Sequence, residues 1–192
     1  ELGYRAPQQA LARIAALRDN SRVRLMPESS QVRMQHLVPL VIEIAAHQTH
    51  PDATLERMLL LLESISRREA YLALLLQYPQ TIERGAQLAN ASPWAADYLA
   101  RHPILLDELL DTTTLFAAPD WPQLRSLARR QLDEAAGDYE RQMDVLGHFK
   151  HAQTMHLLAQ DLAGELPLEK LSDHLSDLAD LFGVGRTATQ SA

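Results

Sequence analysis

A chain of 192 residues, 46% hydrophobic and 5% aromatic, is long enough to bury roughly 70% of its unfolded surface in one large domain or two small ones. Its formal charge of -7, with no run of Lys or Arg longer than a pair, argues against DNA or RNA as a partner. The absence of cysteine removes disulfides and thiolate metal sites, and no apolar run approaches the roughly 20 residues that span a bilayer.

The apolar share is mostly Leu and Ala, which lose least on entering a helix, and glycine is absent between Gly3 and Gly85. Tight hairpins and phosphate-cradling loops need a residue free to take positive φ, so neither belongs in that stretch. The composition predicts an all-α protein, a compact multi-helix bundle of long and short helices. The first 50 residues hold six Arg and four acids, whereas the remainder holds twelve basic and twenty-one acidic groups. The bulk of the chain is therefore acidic. Glu1 stands at the start instead of Met, and no basic-then-apolar signal peptide follows. The chain reads as a piece of something longer, residing in the cytoplasm.

In chain order, residues 6–18 place Leu11, Ile14, Ala15 and Leu17 near one face of a first helix. Residues 29–48 continue the helical period through Pro39, whose ring removes a hydrogen bond and predicts a kink. HPDAT, residues 50–54, interrupts the pattern. From Leu55 to Gln77 the chain is apolar almost all round, which marks buried helix. Ser66 and Glu69 have the spacing of a capping box, dividing this stretch into two helices, with one continuous helix as the alternative.

Pro79, Pro93 and Pro103 each stand where a helix can begin, because the missing N–H has no partner in a first turn. Ser92 is a natural N-cap for a short helix that turns Trp94, Tyr98 and Leu99 inward, and Pro103 opens ILLDELLD. These prolines read as architecture: short helices joined by tight corners. TTTLFAAPDWP reads as a surface connection. A helix follows from Pro122 to Glu134 and, after Gly137, a longer one over residues 138–163. In it Tyr139, Met143, Leu146, Phe149, Met155 and Leu162 recur at helical spacing over about 39 Å. Gly164 is its stop. A last amphipathic helix carries Leu168, Leu171, Leu175, Leu178 and Phe182 on one side and Glu169, Asp173, Asp177 and Asp180 toward water. Gly183 ends it, and the tail 183–192 has too little apolar mass to order itself, so a disordered C-terminal tail is expected.

Candidate chemistry is sparse. His47 with His50, and His148 with His151, have the i, i+3 spacing of a shared helix face, and Asp144 is one turn before His148. A metal would need further ligands that nothing specifies, HExxH is absent, and solvated or capping histidines are the simpler reading. His102 and Asp107 with any serine make a nominal triad, but no GxSxG elbow accompanies them. No ExxH of the di-iron type is present. Phosphoryl or nucleotidyl transfer needs carboxylates close enough to share Mg²⁺ and a loop of N–H groups for phosphates. Asp138 and Glu140 are the nearest pair, yet i and i+2 point apart on a helix, and GVG at 183–185 reads as a helix end. No catalytic, cofactor-binding or metal-binding residue is assigned.

The stretch SRREAYLALLLQYPQTIERGAQLANASPWAADYLARHPILLDELLD, residues 66–111, resembles the central region of the bifunctional glutamine synthetase adenylyltransferase and adenylyl-removing enzymes of bacteria. FKHAQTMHLLAQDLAGELPLEKLSDHLSDLAD, residues 149–180, resembles the first helices of that family's second nucleotidyltransferase module, and LGYRAPQQALARIAALRDN at the start adds a weaker likeness. The resemblance implies a parent that attaches AMP from ATP to a tyrosine of glutamine synthetase and removes it by phosphorolysis, using Mg²⁺. It implies a helical regulatory region between two catalytic domains, responding to glutamine and to the PII signalling protein.

On this likeness residues 1–136 correspond to the central helical region, 137–182 to the start of the second module, and 183–192 to a divergent tail. The family's paired-acid motif has no counterpart here, so the segment itself is expected to be noncatalytic and free of cofactor. A rigid spacer between catalytic domains is the plainer version of this reading. A free-standing helical adaptor is the alternative from another class.

Overall fold

A computed structural model describes residues 3–177 apart from 165, 168, 169 and 175, and every regular element among the described residues is helical. The all-α expectation is met. The tail 183–192 and Leu168, Glu169, Leu175, Leu178, Asp180 and Phe182 lie outside the described residues. Two compact units divide the chain, one ending at Asp111 and one beginning at Thr112.

The first unit holds α1 (Pro7–Asp19), α2 (Ser21–Arg24), α3 (Glu28–Ala46), α4 (Pro51–Ser64), α5 (Glu69–Gln77), α6 (Pro79–Ala91), α7 (Pro93–Arg101) and a 3-10 turn (Pro103–Leu106). Proline occupies the first turn of α1, α4, α6, α7 and the 3-10 turn, so these helices start where the missing N–H costs nothing. The Ser92 hydroxyl accepts from the Ala95 amide at 3.2 Å and caps α7. HPDAT therefore opens α4 at Pro51 instead of interrupting the pattern, and the break lies just before it. α3 continues through Pro39.

α4 is the centre of this unit, packed against α1, α3, α6 and α7. Its Leu55, Leu59 and Leu62 are almost fully buried, as are Leu37 and Val41 of α3, Ile82 of α6 and Leu99 of α7. Each such Leu contributes about 1.5–3 kcal/mol by leaving water, which makes α4 the main source of hydrophobic stabilisation. Gly85 of α6 is buried against α4 and α7, and a Cβ there would make only ordinary contacts, 3.5 Å from Met58 Cε and 3.9 Å from Leu99 Cδ2.

Polar contacts fix the periphery. The Asp52 carboxylate accepts from the backbone N–H groups of Arg5 and Ala6, both at 3.0 Å, tying the start of α1 to the first turn of α4. Tyr4 donates to the Ile42 carbonyl at 2.6 Å, and burial, with the Asp52 charge adding, pushes its pKa up to about 12.

Four expectations for this unit are corrected. The expected Ser66–Glu69 capping box does not form: Arg68 is the N-cap of α5 without a side-chain bond, while Glu69 pairs with Arg33 and accepts from Ser29 at 3.2 Å. The tie to α3 takes the carboxylate that would have reached back. Leu11 is 66% exposed, because at about 100° per residue it lies roughly 120° round α1 from the buried Leu17. Trp94 is 49% exposed although Tyr98 and Leu99 are buried; its ring stacks on Tyr98 at 4.7 Å and 16° instead of entering the core. ILLDELLD forms only a 3-10 turn and further i to i+3 bonds, which bury Leu105, Leu106 and Leu109 together.

The second unit holds α8 (Thr112–Leu115), α9 (Trp121–Glu134), α10 (Tyr139–Leu162) and helical residues 170–174. Asp120 and Asp138 cap α9 and α10, each accepting from an amide three residues on at 3.0 Å. Gly137 and Gly164 take φ of +88° and +73°, the left-handed turn before α10 and the stop after it. Trp121, Leu157 and Leu166 form one apolar cluster with Leu124 and Leu171 against it, and Ala128 with Phe149 forms another. Two expectations change here. Leu115, placed in a surface connection, is buried as α8 packs on α10, and Tyr139 and Met143 of the α10 stripe are 67% and 50% exposed. Periodicity reports a face able to be buried, and nothing in the sequence says whether a neighbour covers each turn of it.

Candidate functional site

His47 and His50 separate once the helices are placed, whereas His148 and His151 both lie on α10. His47 lies just past α3, its Nδ1 2.8 Å from the Glu43 carbonyl, and His50 precedes α4 with its amide on Asn90 Oδ1 at 2.9 Å. The break between helices removes the shared face that their spacing suggested. Asp144 and His148 both line an open groove of about 340 Å³ between α9 and α10, with Glu134 and Arg141. Among the described residues no three His, Asp or Glu side chains gather closely enough to hold a metal ion.

The other candidates serve structure. His102 is the C-cap of α7, its ring tilted against Tyr98 at 4.7 Å, and Asp107 ends the 3-10 turn. Ser92 is occupied in capping α7. Asp138 accepts from the Arg141 amide while Glu140 stays exposed in the first turn of α10. The GVG sequence lies outside the described residues.

The described residues also form open surface grooves. An open groove of about 530 Å³ between α1, α2 and α3 has Ile14, Met34, Val38 and Pro39 as apolar lining and Arg18 and Arg24 among its polar residues. Arg18 is already engaged by Asp19, at 3.0 and 3.4 Å. On α7, Trp94, Tyr98 and His102 stack in sequence with only Trp94 broadly open to water, and Arg101 pairs with Asp97 beside them at 2.5 Å. Among the described residues, no helix is long and apolar enough to cross a membrane.

Arg84 and Asp52 escaped the sequence reading. Arg84 of α6 donates to the carbonyls of Leu109 and Leu110, the latter at 2.7 Å, and so pins the end of the first unit. Its partners lie 25 and 26 residues away and are backbone atoms, which leave no mark in side-chain pattern. Asp52 had a local signal, an acid in the first turn of a proline-started helix, but its partners are again backbone groups far along the chain.

Comparison with known proteins gives these features a family. A family model described as glutamate-ammonia ligase adenylyltransferase matches residues 82–187. The chain is 51% identical over 181 residues to the bifunctional glutamine synthetase adenylyltransferase/adenylyl-removing enzyme of Chromobacterium violaceum, covering 94% of this chain and 20% of that protein. The enzyme of the same description from Nitrosomonas europaea is 50% identical over 185 residues, with the same coverage. That from Aromatoleum aromaticum is 56% identical over 157 residues, 82% of this chain and 17% of the relative. The chain thus spans about a fifth of the length of the curated relatives it matches. It belongs to the glutamate-ammonia ligase adenylyltransferase family.

Proposed function

We propose that this chain is a noncatalytic helical segment, interdomain and regulatory, of a cytoplasmic enzyme that adenylylates and deadenylylates glutamine synthetase. The observation that carries the reading is the family membership, over only a fifth of the relatives' length. Residues 1–136 belong to the central region and 137–182 to the first helices of the second nucleotidyltransferase module. ATP and Mg²⁺ serve the catalytic domains of the parent, which flank this segment.

The segment sets the relative placement of two opposed catalytic sites and relays the nitrogen signal between them. Such a relay requires each effector, glutamine or one form of the PII protein, to bind one packing arrangement better than the other. Titration of the isolated chain with glutamine and with unmodified and uridylylated PII tests this. Binding of any one supports the relay. If none binds, and variants of this segment in the parent leave the balance of AMP attachment and removal unchanged under every effector, the segment is a spacer only.

A further inference from the structure

Trp121 opens α9, and its indole Nε1 lies 2.8 Å from Nδ1 of His174, with the two rings tilted at 39° and centroids 5.8 Å apart. An indole N–H can only donate, so Nδ1 of His174 must present its lone pair. The imidazole is therefore neutral, with its proton on Nε2. Adding a second proton places an N–H against the indole N–H and removes the bond.

This contact fastens residues 170–174 to α9. Trp121 is also part of the apolar cluster with Leu157 and Leu166, against which Leu171 packs, so the bond and the burial act at one place. A second tie runs from Arg125 of α9 to Asp177 at 3.3 Å. The cavity beside His174, about 460 Å³, is lined by Lys170, Asp173 and Asp177 from its own stretch and by the neutral Gln160 of α10. The charged groups of α9 on this side are Arg125, which reaches Asp177, and Asp120, next to Trp121 and engaged in capping. Histidine is the side chain that ordinarily changes charge between about pH 5 and pH 8.

We infer that the Trp121–His174 pair is a pH-sensitive latch: the neutral imidazole holds residues 170–174 against α9, and protonation releases that hold. The latch is independent of the family's chemistry and stands or falls without it.

The test follows both tryptophan indole N–H resonances of the ¹⁵N-labelled full chain from about pH 8 to about pH 5. Trp94→Phe identifies which signal is Trp121. The latch predicts a bonded, downfield Trp121 resonance at high pH that moves upfield in a single-proton step, while Trp94 stays put. Amide exchange at residues 170–174 should rise roughly fivefold across that step, beyond the intrinsic pH effect, the factor carried by one hydrogen bond of ordinary net strength. In His174→Gln the side-chain carbonyl still accepts but does not titrate, so the step should vanish with the chain folded. A Trp121 signal indifferent to pH in the parent, or the same step in His174→Gln, overturns the inference.

Discussion

Arg84, midway along α6, reaches the Leu110 carbonyl at 2.7 Å and the Leu109 carbonyl beside it, so one guanidinium satisfies two backbone acceptors just past the 3-10 turn. Leu105, Leu106 and Leu109 are buried immediately before and within this clasp. Arg84→Met keeps the apolar stem but leaves both carbonyls without a charged donor. Urea unfolding should show a loss of about 1.5–3 kcal/mol. Arg84→Lys should fall between, because its ammonium also carries several donors but sits one bond short of the Nη1 that makes both bonds.

Asp52 accepts from two backbone amides at the start of α1, and those bonds hold its carboxyl below the usual range. A depressed folded pKa contributes stability that is complete above the unfolded value of about 3.9 and is lost as pH falls through the lower folded value. Amide protection of α1 should therefore be level from about pH 7 to pH 5 and drop below about pH 4. Asp52→Asn should lower protection already at neutral pH and flatten the acid dependence of α1. An unchanged acid profile in Asp52→Asn would show that another carboxylate governs the docking.

Trp94 and Leu99 sit five residues apart on α7 and should respond in opposite degree. Trp94→Ala removes a half-exposed ring and one stacking partner, worth about 0.5–1.5 kcal/mol. Leu99→Ala opens a cavity in the core beside α4 and should cost about 2–5 kcal/mol. Denaturant midpoints of the two variants decide this, and a larger loss for Trp94→Ala would contradict the packing described.

Gly147 lies inside α10 with no atom within 4 Å of where a Cβ would stand. Gly147→Ala should then raise stability by roughly 0.5–1 kcal/mol, measured by thermal or urea unfolding.

Helix placement was readable because proline, serine and glycine act within a turn of where they sit: Pro79, Pro93, Ser92, Gly137 and Gly164 punctuate the chain as their chemistry dictates. The errors share a different origin. Spacing turns Trp94 inward and puts Leu11, Tyr139 and Met143 on the apolar stripes of their helices, but burial depends on a neighbour that local sequence does not encode. Glu69 fitted a local capping pattern and lost it to Arg33, 36 residues away. The candidate chemistry was legible mainly as dispersal, since His47 and His50 share a face only if one helix carries both. Arg84 and Asp52 stayed hidden because backbone atoms are their partners.

The central claim, that this segment regulates without catalysing, is tested most directly by transfer of labelled AMP from ATP and Mg²⁺ to glutamine synthetase. The 192-residue chain alone should give no transfer, and the longer polypeptide of its gene should give it. Labelling by the isolated chain would mean that its acids assemble a reaction centre after all, and would contradict the account.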